Sequence, residues 1–536
     1  MKYFFAFIYI IPLVCSELFT SLSDLENLLN TEEELINVMT NYIQAEELKL
    51  KKLKSVLSDF NAKHLVANVD ASSYVANPIN SYLLVKRLST DWGEIQNLIT
   101  DNENKDSIVN MTNNRGDLVF PDIEDLHGAA MALIRLQETY KLDAANLSVG
   151  HIDGAKPSLS LTANDCFELG RQSYVNKDYK HTVDWMDEAM KKYTGEDPKT
   201  ISIADILEYL AFSHYMLGHL EEGLKLTKEL IKADPAHPRA PGNIRYYEDL
   251  IEKDKKRKMG EQGIKINIPN EVIDEPNPIP EREQYEKLCR GEKLMTIKEE
   301  SQLKCQWFQC NHPYCILVRF KEEETYLDPR IVRYHNVLSD YEIKVIQSLA
   351  SPKLKRATVQ HHETGELITA SYRISKRYLY PYNICKIIFG DDHKVVAGMN
   401  NKVQLLSALT VKTAEDLQVA NYGLGGHYEP HYDFAREEEI KAFESLGVGN
   451  RIATMLFYMS DIEAGGSTVF TKLGVSVRPI KGSAVFWFNL FKSGKGDLRT
   501  RHAACPVLAG NKWVCNKWLH EYGQELLYPC GMNRNE

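Results

Sequence analysis

The sequence predicts a multidomain α + β protein with a helical N-terminal region, a tetratricopeptide-like all-α segment and a C-terminal double-stranded β-helix, or jelly roll. Three observations carry that prediction. Apolar residues recur at heptad spacing between Ile36 and Phe60, a helix-pair pattern repeats in the middle with an offset of 41 residues, and the last fifth is a series of short apolar runs broken by glycine turns.

The chain opens with the three-part pattern of a cleaved secretory signal over residues 1–16: Lys2, the apolar run Phe4 to Val14, and small residues around Cys15-Ser16. That apolar core is too short to cross a membrane and no later run approaches the needed length. The mature chain is therefore expected to begin near Glu17, without a membrane span, in a lumenal compartment. The sequons Asn110-Met-Thr and Asn146-Leu-Ser fit that compartment as candidate glycosylation sites. A formal net charge of −10 argues against nucleic acid as a partner.

Residues 17–150 read as helical. Thr31-Glu-Glu-Glu34 has the form of a capping box, and Ile36, Met39, Ile43, Leu50, Leu53, Leu57 and Phe60 form a heptad seam interrupted only at Glu46. Periodicity alone fits a coiled coil and an amphipathic helix packed on its own domain equally well.

In residues 160–250, Gly170, Tyr174, Asp178, Tyr179 and Ala189 recur as Ala211, Tyr215, His219, Leu220 and Leu230, with Asp234-Pro235 closing the second unit. This is the arrangement of tetratricopeptide helix pairs with about seven extra residues per period. Stacked pairs make a concave surface suited to an extended peptide, where a plain helical spacer would not. Glu252 to Arg282, charged and then proline-bearing through Glu275-Pro-Asn-Pro-Ile-Pro280, reads as a mobile tether at the start of a linker region, 251–330.

The chemistry is expected in residues 331–536. Tyr428-Glu-Pro-His431-Tyr-Asp433-Phe is followed by Arg501-His502-Ala-Ala-Cys-Pro and Gly510-Asn-Lys512-Trp513. His431 and Asp433, two apart on a strand, point to one side and can share a metal. With His502 they make the donor set of a non-haem iron(II) site that leaves one face open for a chelating co-substrate and dioxygen. The pair alone says little: with 16 His and 74 acidic residues, about one H-x-D is expected by chance. A second, His151-Ile-Asp153, reads as a loop accident, and His427 as a loop residue outside the motif. Context separates them, since Ile452 to Ser460, Val469-Phe470, Ser483 to Phe488 and Val514 to Leu519 read as strands of a jelly roll whose mouth can hold a buried metal. Lys512, an ammonium in an apolar setting, calls for an anion such as a dicarboxylate. A plain hairpin would separate His502 from Lys512, whereas strands in facing sheets direct both into one cavity.

These motifs, with Val419-Ala-Asn-Tyr422-Gly, Gly449-Asn-Arg-Ile-Ala-Thr, Phe457-Tyr-Met-Ser-Asp, Gly465-Gly and Ala484-Val-Phe-Trp, closely resemble the catalytic region of collagen prolyl 4-hydroxylase alpha subunits, and the resemblance extends more loosely over nearly the whole chain. It implies Fe(II) held by His431, Asp433 and His502, and 2-oxoglutarate held by Lys512 with Tyr422 lining its pocket. It also implies O2 as co-substrate and L-ascorbate to rescue oxidised iron. The reaction implied is 4-hydroxylation of peptidyl proline in X-Pro-Gly of procollagen in the endoplasmic reticulum lumen, coupled to decarboxylation of 2-oxoglutarate to succinate.

The same resemblance makes residues 17–150 a dimerisation arm and residues 160–250 the domain that holds proline-rich procollagen chains, with Tyr209, Phe212 and Tyr246 as aromatic faces and Asn243 as a polar contact. Phe212 stands where the family carries tyrosine. The implied partner is protein disulfide isomerase as beta subunit, in an alpha2beta2 tetramer. That partner would also retain a chain ending Asn533-Arg-Asn-Glu536 without a retrieval signal of its own.

Ten cysteines, less Cys15 in the leader, leave an odd number in the mature chain. Resemblance implies the pairs Cys289 with Cys305 and Cys505 with Cys530, with Cys166 buried and free, while Cys310, Cys315, Cys385 and Cys515 depart from the family pattern. A zinc site on Cys305, Cys310, His312 and Cys315 is the rival reading, at spacings that suit no common zinc module. Two other functions compete: a non-catalytic collagen-binding chaperone, against which the intact triad and Lys512 argue, and a lumenal lysyl hydroxylase-like oxygenase, against which the repeat and its aromatics argue.

Overall fold

The structure, a computed structural model, describes residues 20–69, 92–100, 123–153, 160–197, 199–258, 281–309, 312–356, 358–360, 367–369, 376–379, 393–439, 443 and 446–533. The expected secretory leader, Asn110, Cys310 and Cys385 lie outside the described residues. Residues 24–121 form one compact unit, and the rest of the chain, including residues 20–23, forms another.

The first unit contains most of α1 (Leu22–Val69) and α2 (Trp92–Thr100). α1 begins well before the capping box expected at Thr31. Thr31 lies inside the helix, where its hydroxyl donates to the Asn27 carbonyl at 3.5 Å, the back-bond by which a mid-helix threonine satisfies itself. Along α1, Ile36, Met39, Ile43, Leu50 and Leu57 are exposed, and Leu53 and Phe60 are half-buried.

In the second unit, α3 (Ile123–Tyr140) and α4 (Ala144–Ser148) precede the helical repeat: α5 (Ala163–Val175), α6 (Tyr179–Gly195), α7 (Ile203–Met216), α8 (Leu220–Ala233) and α9 (Ala240–Lys258). Three of these starts are written locally. Thr162 and Asp165 form a reciprocal capping box, and Asp178 and Ser202 cap α6 and α7. Trp185, Met186, Leu210 and Leu230 fill the core between pairs, and Trp185 Nε1 donates to Gln137 Oε1 of α3 at 2.9 Å. Gly170 recurs as a small residue because helices cross there: a Cβ would come within 2.9 Å of Met186 Cε. α9 continues to Lys258, so the charged start of the expected tether is helix; its proline-bearing part lies outside the described residues. Asn146 is exposed, on α4.

The C-terminal part is built on two antiparallel sheets. The larger has the order β1 (Cys305–Trp307), β2 (Lys321–Tyr326), β3 (Ile331–His335), β14 (Ala484–Phe488), β10 (Arg451–Tyr458), β17 (Lys512–His520), β8 (Gln418–Tyr422), β7 (Lys376–Leu379) and β4 (Lys355–Arg356). The smaller has the order β13 (Val475–Val477), β12 (Thr468–Phe470), β15 (His502–Ala504) and β9 (Tyr428–His431), and besides these there are two short pairs, β5 (Thr358–Gln360) with β6 (Leu367–Thr369) and β11 (Ala464–Gly465) with β16 (Val507–Ala509). Because β1 and β2 pair into the larger sheet, the barrel begins inside the stretch read as linker, before residue 331. Two-residue alternation assigns its faces. Val485, Trp487 and Leu456 pack toward Phe470 and Val477 of the smaller sheet, while Ala484, Phe486 and Phe457 join a second core with α11 (Asp340–Ala350) and α12 (Lys394–Ser407).

The disulfide pattern differs from the one expected. Cys289, on α10 (Arg282–Cys289), is bonded to Cys505, with Cα atoms 5.5 Å apart. The fold lays α10 against the smaller sheet, so that Cys289 and Cys505 share a buried cluster with Tyr285, Leu288, Val469 and Ala503. Cys305 and Cys530, their expected partners, are exposed and free, as Cys166 is buried and free. Cys315 is disulfide-bonded, which removes it from the rival zinc set.

Candidate active site

β9 and β15 are neighbours in the smaller sheet and pair His431 with His502 directly, while Asp433 follows two residues after His431. The three side chains place one ligand atom each within 4.8 Å of one another. His431 Nε2 lies 3.7 Å from Asp433 Oδ1 and His502 Nε2 3.6 Å from Asp433 Oδ2. Each imidazole is oriented from behind. His431 Nδ1 lies 2.7 Å from the Glu429 carbonyl and His502 Nδ1 3.0 Å from that of Thr500. A carbonyl only accepts, so both Nδ1 atoms carry the hydrogen and both Nε2 lone pairs face the shared centre. Two imidazoles and a carboxylate on one side of a cavity suit Fe(II) with open positions opposite.

A buried polar chain holds the carboxylate. Trp487 Nε1 donates to Asn489 Oδ1 at 2.8 Å, Asn489 Nδ2 to Thr454 Oγ1 at 2.9 Å, and Thr454 Oγ1 to Asp433 Oδ2 at 2.8 Å. Behind it, half-buried Arg451 donates to the Asp433 carbonyl at 3.2 Å, pairs in bidentate fashion with Glu415 and lies over the Trp518 ring. Burial opposes ionisation of Asp433, but His502 and His431 outweigh it and hold the carboxyl far below its usual range. Burial pushes His502 down to about 4 against the pull of Asp433, which keeps it in the neutral, ligating form.

Lys512 enters the same cavity from the other sheet. It pairs with Tyr422 in the β17–β8 ladder, is 1% exposed, donates to the Gly466 carbonyl at 2.6 Å and lies 4.8 Å from the Tyr422 ring centroid. Burial lowers its pKa to about 7. A carbonyl is a neutral partner and leaves the ammonium charge uncompensated, so an anion in the cavity would favour the charged form. Lys512, Tyr422 and the triad line one cavity. Facing sheets therefore bring His502 and Lys512 together as the spacing implied. By contrast, His151 and Asp153 face each other at 3.2 Å on the surface, outside any metal-capable cluster among the described residues. His427 lies in the loop before β9 but is buried.

On the helical repeat, Tyr209, Phe212 and Tyr246 belong to a longer aromatic row. Tyr174 meets Tyr209 at 4.9 Å and Phe212 at 5.7 Å, Phe212 meets Tyr215 at 5.7 Å, and Tyr215 meets Tyr246 at 5.9 Å and stacks on Tyr247 at 4.7 Å. Asn243 is half-buried on α9, one turn before Tyr247. In the sequence, Tyr174 and Tyr215 stand out only as repeat positions. Thr454 and Asn489 carry only a faint sequence signal, a threonine inside the apolar run Ile452 to Ser460 and an amide at the end of another.

Comparison with known proteins gives three family models in order along the chain. They are the prolyl 4-hydroxylase alpha-subunit N-terminal region over residues 21–154, the prolyl 4-hydroxylase peptide-substrate-binding domain over 163–253, and the 2OG-Fe(II) oxygenase superfamily over 417–520. The chain is 46% identical over 523 residues to prolyl 4-hydroxylase subunit alpha-1 of Rattus norvegicus and 45% identical to that of Homo sapiens, covering 97% of this chain and 96% of each relative. It is 46% identical over 520 residues to subunit alpha-2 of Caenorhabditis elegans, covering 96% of this chain and 94% of the relative. A solved viral collagen prolyl hydroxylase from Paramecium bursaria Chlorella virus-1, in its 2OG complex, aligns at 24% identity and a TM-score of 0.27, over 35% of this chain and 94% of that one.

Proposed function

Since the chain belongs to the prolyl 4-hydroxylase alpha-subunit family, we propose that His431, Asp433 and His502 bind the Fe(II) of its reaction and that Lys512, beside Tyr422, anchors 2-oxoglutarate. The enzyme is a 2-oxoglutarate- and Fe(II)-dependent dioxygenase that hydroxylates peptidyl proline. The observation that carries the residue assignment is the meeting, in one buried cavity, of a three-ligand cluster and a lysine whose described hydrogen-bond partner is a neutral carbonyl.

Bound iron and 2-oxoglutarate supply the oxidising power: one oxygen atom of O2 ends in succinate and the other in hydroxyproline, with release of carbon dioxide. The chain's own residues arrange that chemistry. The carbonyls of Glu429 and Thr500 fix both imidazole tautomers, Thr454 orients the carboxylate, and Lys512 gives a carboxylate of the co-substrate a charged, water-poor seat. Trp487 and Tyr428 pack on the ligand rings, at 4.9 Å from His502 and 3.6 Å from His431, and exclude water. L-ascorbate serves to restore iron oxidised in turnovers that miss the substrate.

The aromatic row from Tyr209 through Phe212 and Tyr215 to Tyr246, with Asn243, is assigned to binding proline-rich chains, since a polyproline II ligand is already extended and loses little entropy on docking to aromatic faces. The exposed seam of α1 is assigned to self-association of residues 17–150. Protein disulfide isomerase as beta subunit, an alpha2beta2 tetramer, the endoplasmic reticulum lumen, cleavage near Glu17 and glycans on Asn110 and Asn146 complete the reading. It is supported by the leader pattern, by the relatives' description as subunits, and by the finding that no described helix is long and apolar enough to cross a membrane.

The test is 2-oxoglutarate decarboxylation by the chain co-expressed with protein disulfide isomerase, given Fe(II), ascorbate and a Pro-Pro-Gly repeat peptide. Wild type should make succinate and 4-hydroxyproline in step, H431A neither, and K512A little at modest co-substrate. Wild-type turnover in H431A, or in K512A at modest co-substrate, would refute the site assignment.

A further inference from the structure

The ladder that carries Lys512 is gripped from outside by residues that precede the long helix. Thr20 and Ser21 are both fully buried. Ser21 Oγ donates to Asn421 Oδ1 at 2.9 Å, and the Gly423 amide donates to the Thr20 carbonyl at 3.1 Å. Asn421, itself 0% exposed, passes the contact on: its Nδ2 donates to Asn511 Oδ1 at 2.7 Å and to the Lys512 carbonyl at 3.4 Å. Asn421 and Gly423 flank Tyr422, the residue paired with Lys512. By strand alternation the Asn421 side chain points away from the cavity that Tyr422 lines, so it has no ligand to contact and its partners must come from the outer face. The following loop is held in the same way. Arg135 of α3 donates to the Gly425 carbonyl at 3.3 Å, and the Ala132 carbonyl sits 2.9 Å from where a Cβ on Gly425 would lie.

We propose that Thr20 and Ser21 form a clasp that positions the co-substrate lysine through Asn421, so that Ser21 is a positioning residue for 2-oxoglutarate binding; the inference rests on the assignment of Lys512 as anchor. Removing the Ser21 hydroxyl strands a buried amide oxygen, which frees Asn421 to turn and loosens its hold on Asn511 and Lys512.

The test is an anaerobic titration of the Fe(II)-loaded full-length assembly with 2-oxoglutarate, followed by the absorbance of the bound complex, for wild type, S21A, S21T and K512A. KM values for 2-oxoglutarate and for a proline-rich peptide are measured on the same preparations. S21A should weaken 2-oxoglutarate about tenfold in Kd and KM, with peptide KM and Fe(II) affinity unchanged, and S21T, which keeps the hydroxyl, should restore it. S21A with wild-type co-substrate affinity, or with an equal loss of peptide affinity, overturns the clasp. K512A separates the two readings. If K512A binds 2-oxoglutarate as wild type does, the anchor assignment fails; if only K512A is defective, the clasp alone fails. Where S21A does not accumulate, hydrogen exchange of the wild-type assembly decides. Residues 20–23 and Gly423 should gain protection when 2-oxoglutarate binds, and protection confined to residues 510–514 overturns the proposal.

Discussion

His502 lies directly opposite His431 in the β15–β9 ladder, with ring centroids 4.5 Å apart. Two proposed ligands distant in sequence therefore depend on one strand register, and a slip of one residue would turn His502 to the other face of the sheet. The disulfide from Cys289 to Cys505 ends three residues beyond His502, which ties that register to α10.

Thr454→Val keeps the shape of the side chain and removes the hydroxyl that Asp433 accepts from. Outer-sphere partners of metal ligands are typically worth about 10–100-fold in affinity. T454V should weaken Fe(II) by that order in an equilibrium titration while 2-oxoglutarate affinity at saturating iron stays close to wild type. Unchanged iron affinity would show that the carboxylate is held by other contacts.

Lys512, lowered to about 7 by burial, is largely neutral above that pH before co-substrate binds. The carboxylate needs the ammonium form. Below pH 7 the charge is already present and binding is pH-independent, whereas above it binding must take up a proton and Kd should rise about tenfold per pH unit. Calorimetry of 2-oxoglutarate binding in buffers of different ionisation heat should find about one proton taken up at pH 8 and almost none at pH 6. No uptake at pH 8 would mean that the lysine is already charged.

Burial works against the Glu415 carboxylate, but Arg451 and His520 outweigh it and lower its pKa from 4.5 to about 2. A depressed carboxyl contributes stability that is present above the unfolded value and lost as pH falls through the folded one. The contribution at neutral pH is about 3 kcal/mol. E415Q should lower the melting temperature at pH 7 and show a flatter loss of stability than wild type between about pH 4.5 and 2, read by scanning calorimetry. A wild-type acid limb in E415Q would assign it to other groups.

Tyr215 bridges Phe212 to Tyr246 in the aromatic row. Stacking faces at interfaces are worth about 2 kcal/mol when they are hot spots, so Y215A should raise KM for long proline-rich peptides about thirtyfold and leave KM for 2-oxoglutarate unchanged. Equal KM values for wild type and Y215A would place the peptide elsewhere.

Ile43 and Leu50 lie one heptad apart on α1 and are about half exposed. A charge at a buried seam position is costly. I43E with L50E should shift the chain to its lower oligomeric state in sedimentation while peptide hydroxylation per active site is retained. An unchanged sedimentation coefficient would exclude the α1 seam as the interface.

Local chemistry sufficed for much of this protein. Helix starts at Thr162, Asp178 and Ser202 are dictated by residues within one turn, and strand faces follow from alternation, so a helical repeat and a jelly roll were legible in the sequence. So were His431, Asp433, His502 and Lys512 as a candidate set, from their motifs and spacing, while Tyr422 followed only from the resemblance. What the sequence did not contain was proximity across long separations. The true partner of Cys289 is Cys505 because α10 packs on the smaller sheet. Thr454 and Asn489 become an Asp433 support only when β10 and β14 pair. The half-buried aromatic row joining Tyr174 to Tyr215 exists only once two helix pairs stack. In each case the deciding quantity is which surfaces are buried together, and a residue's own type and immediate neighbours do not encode that.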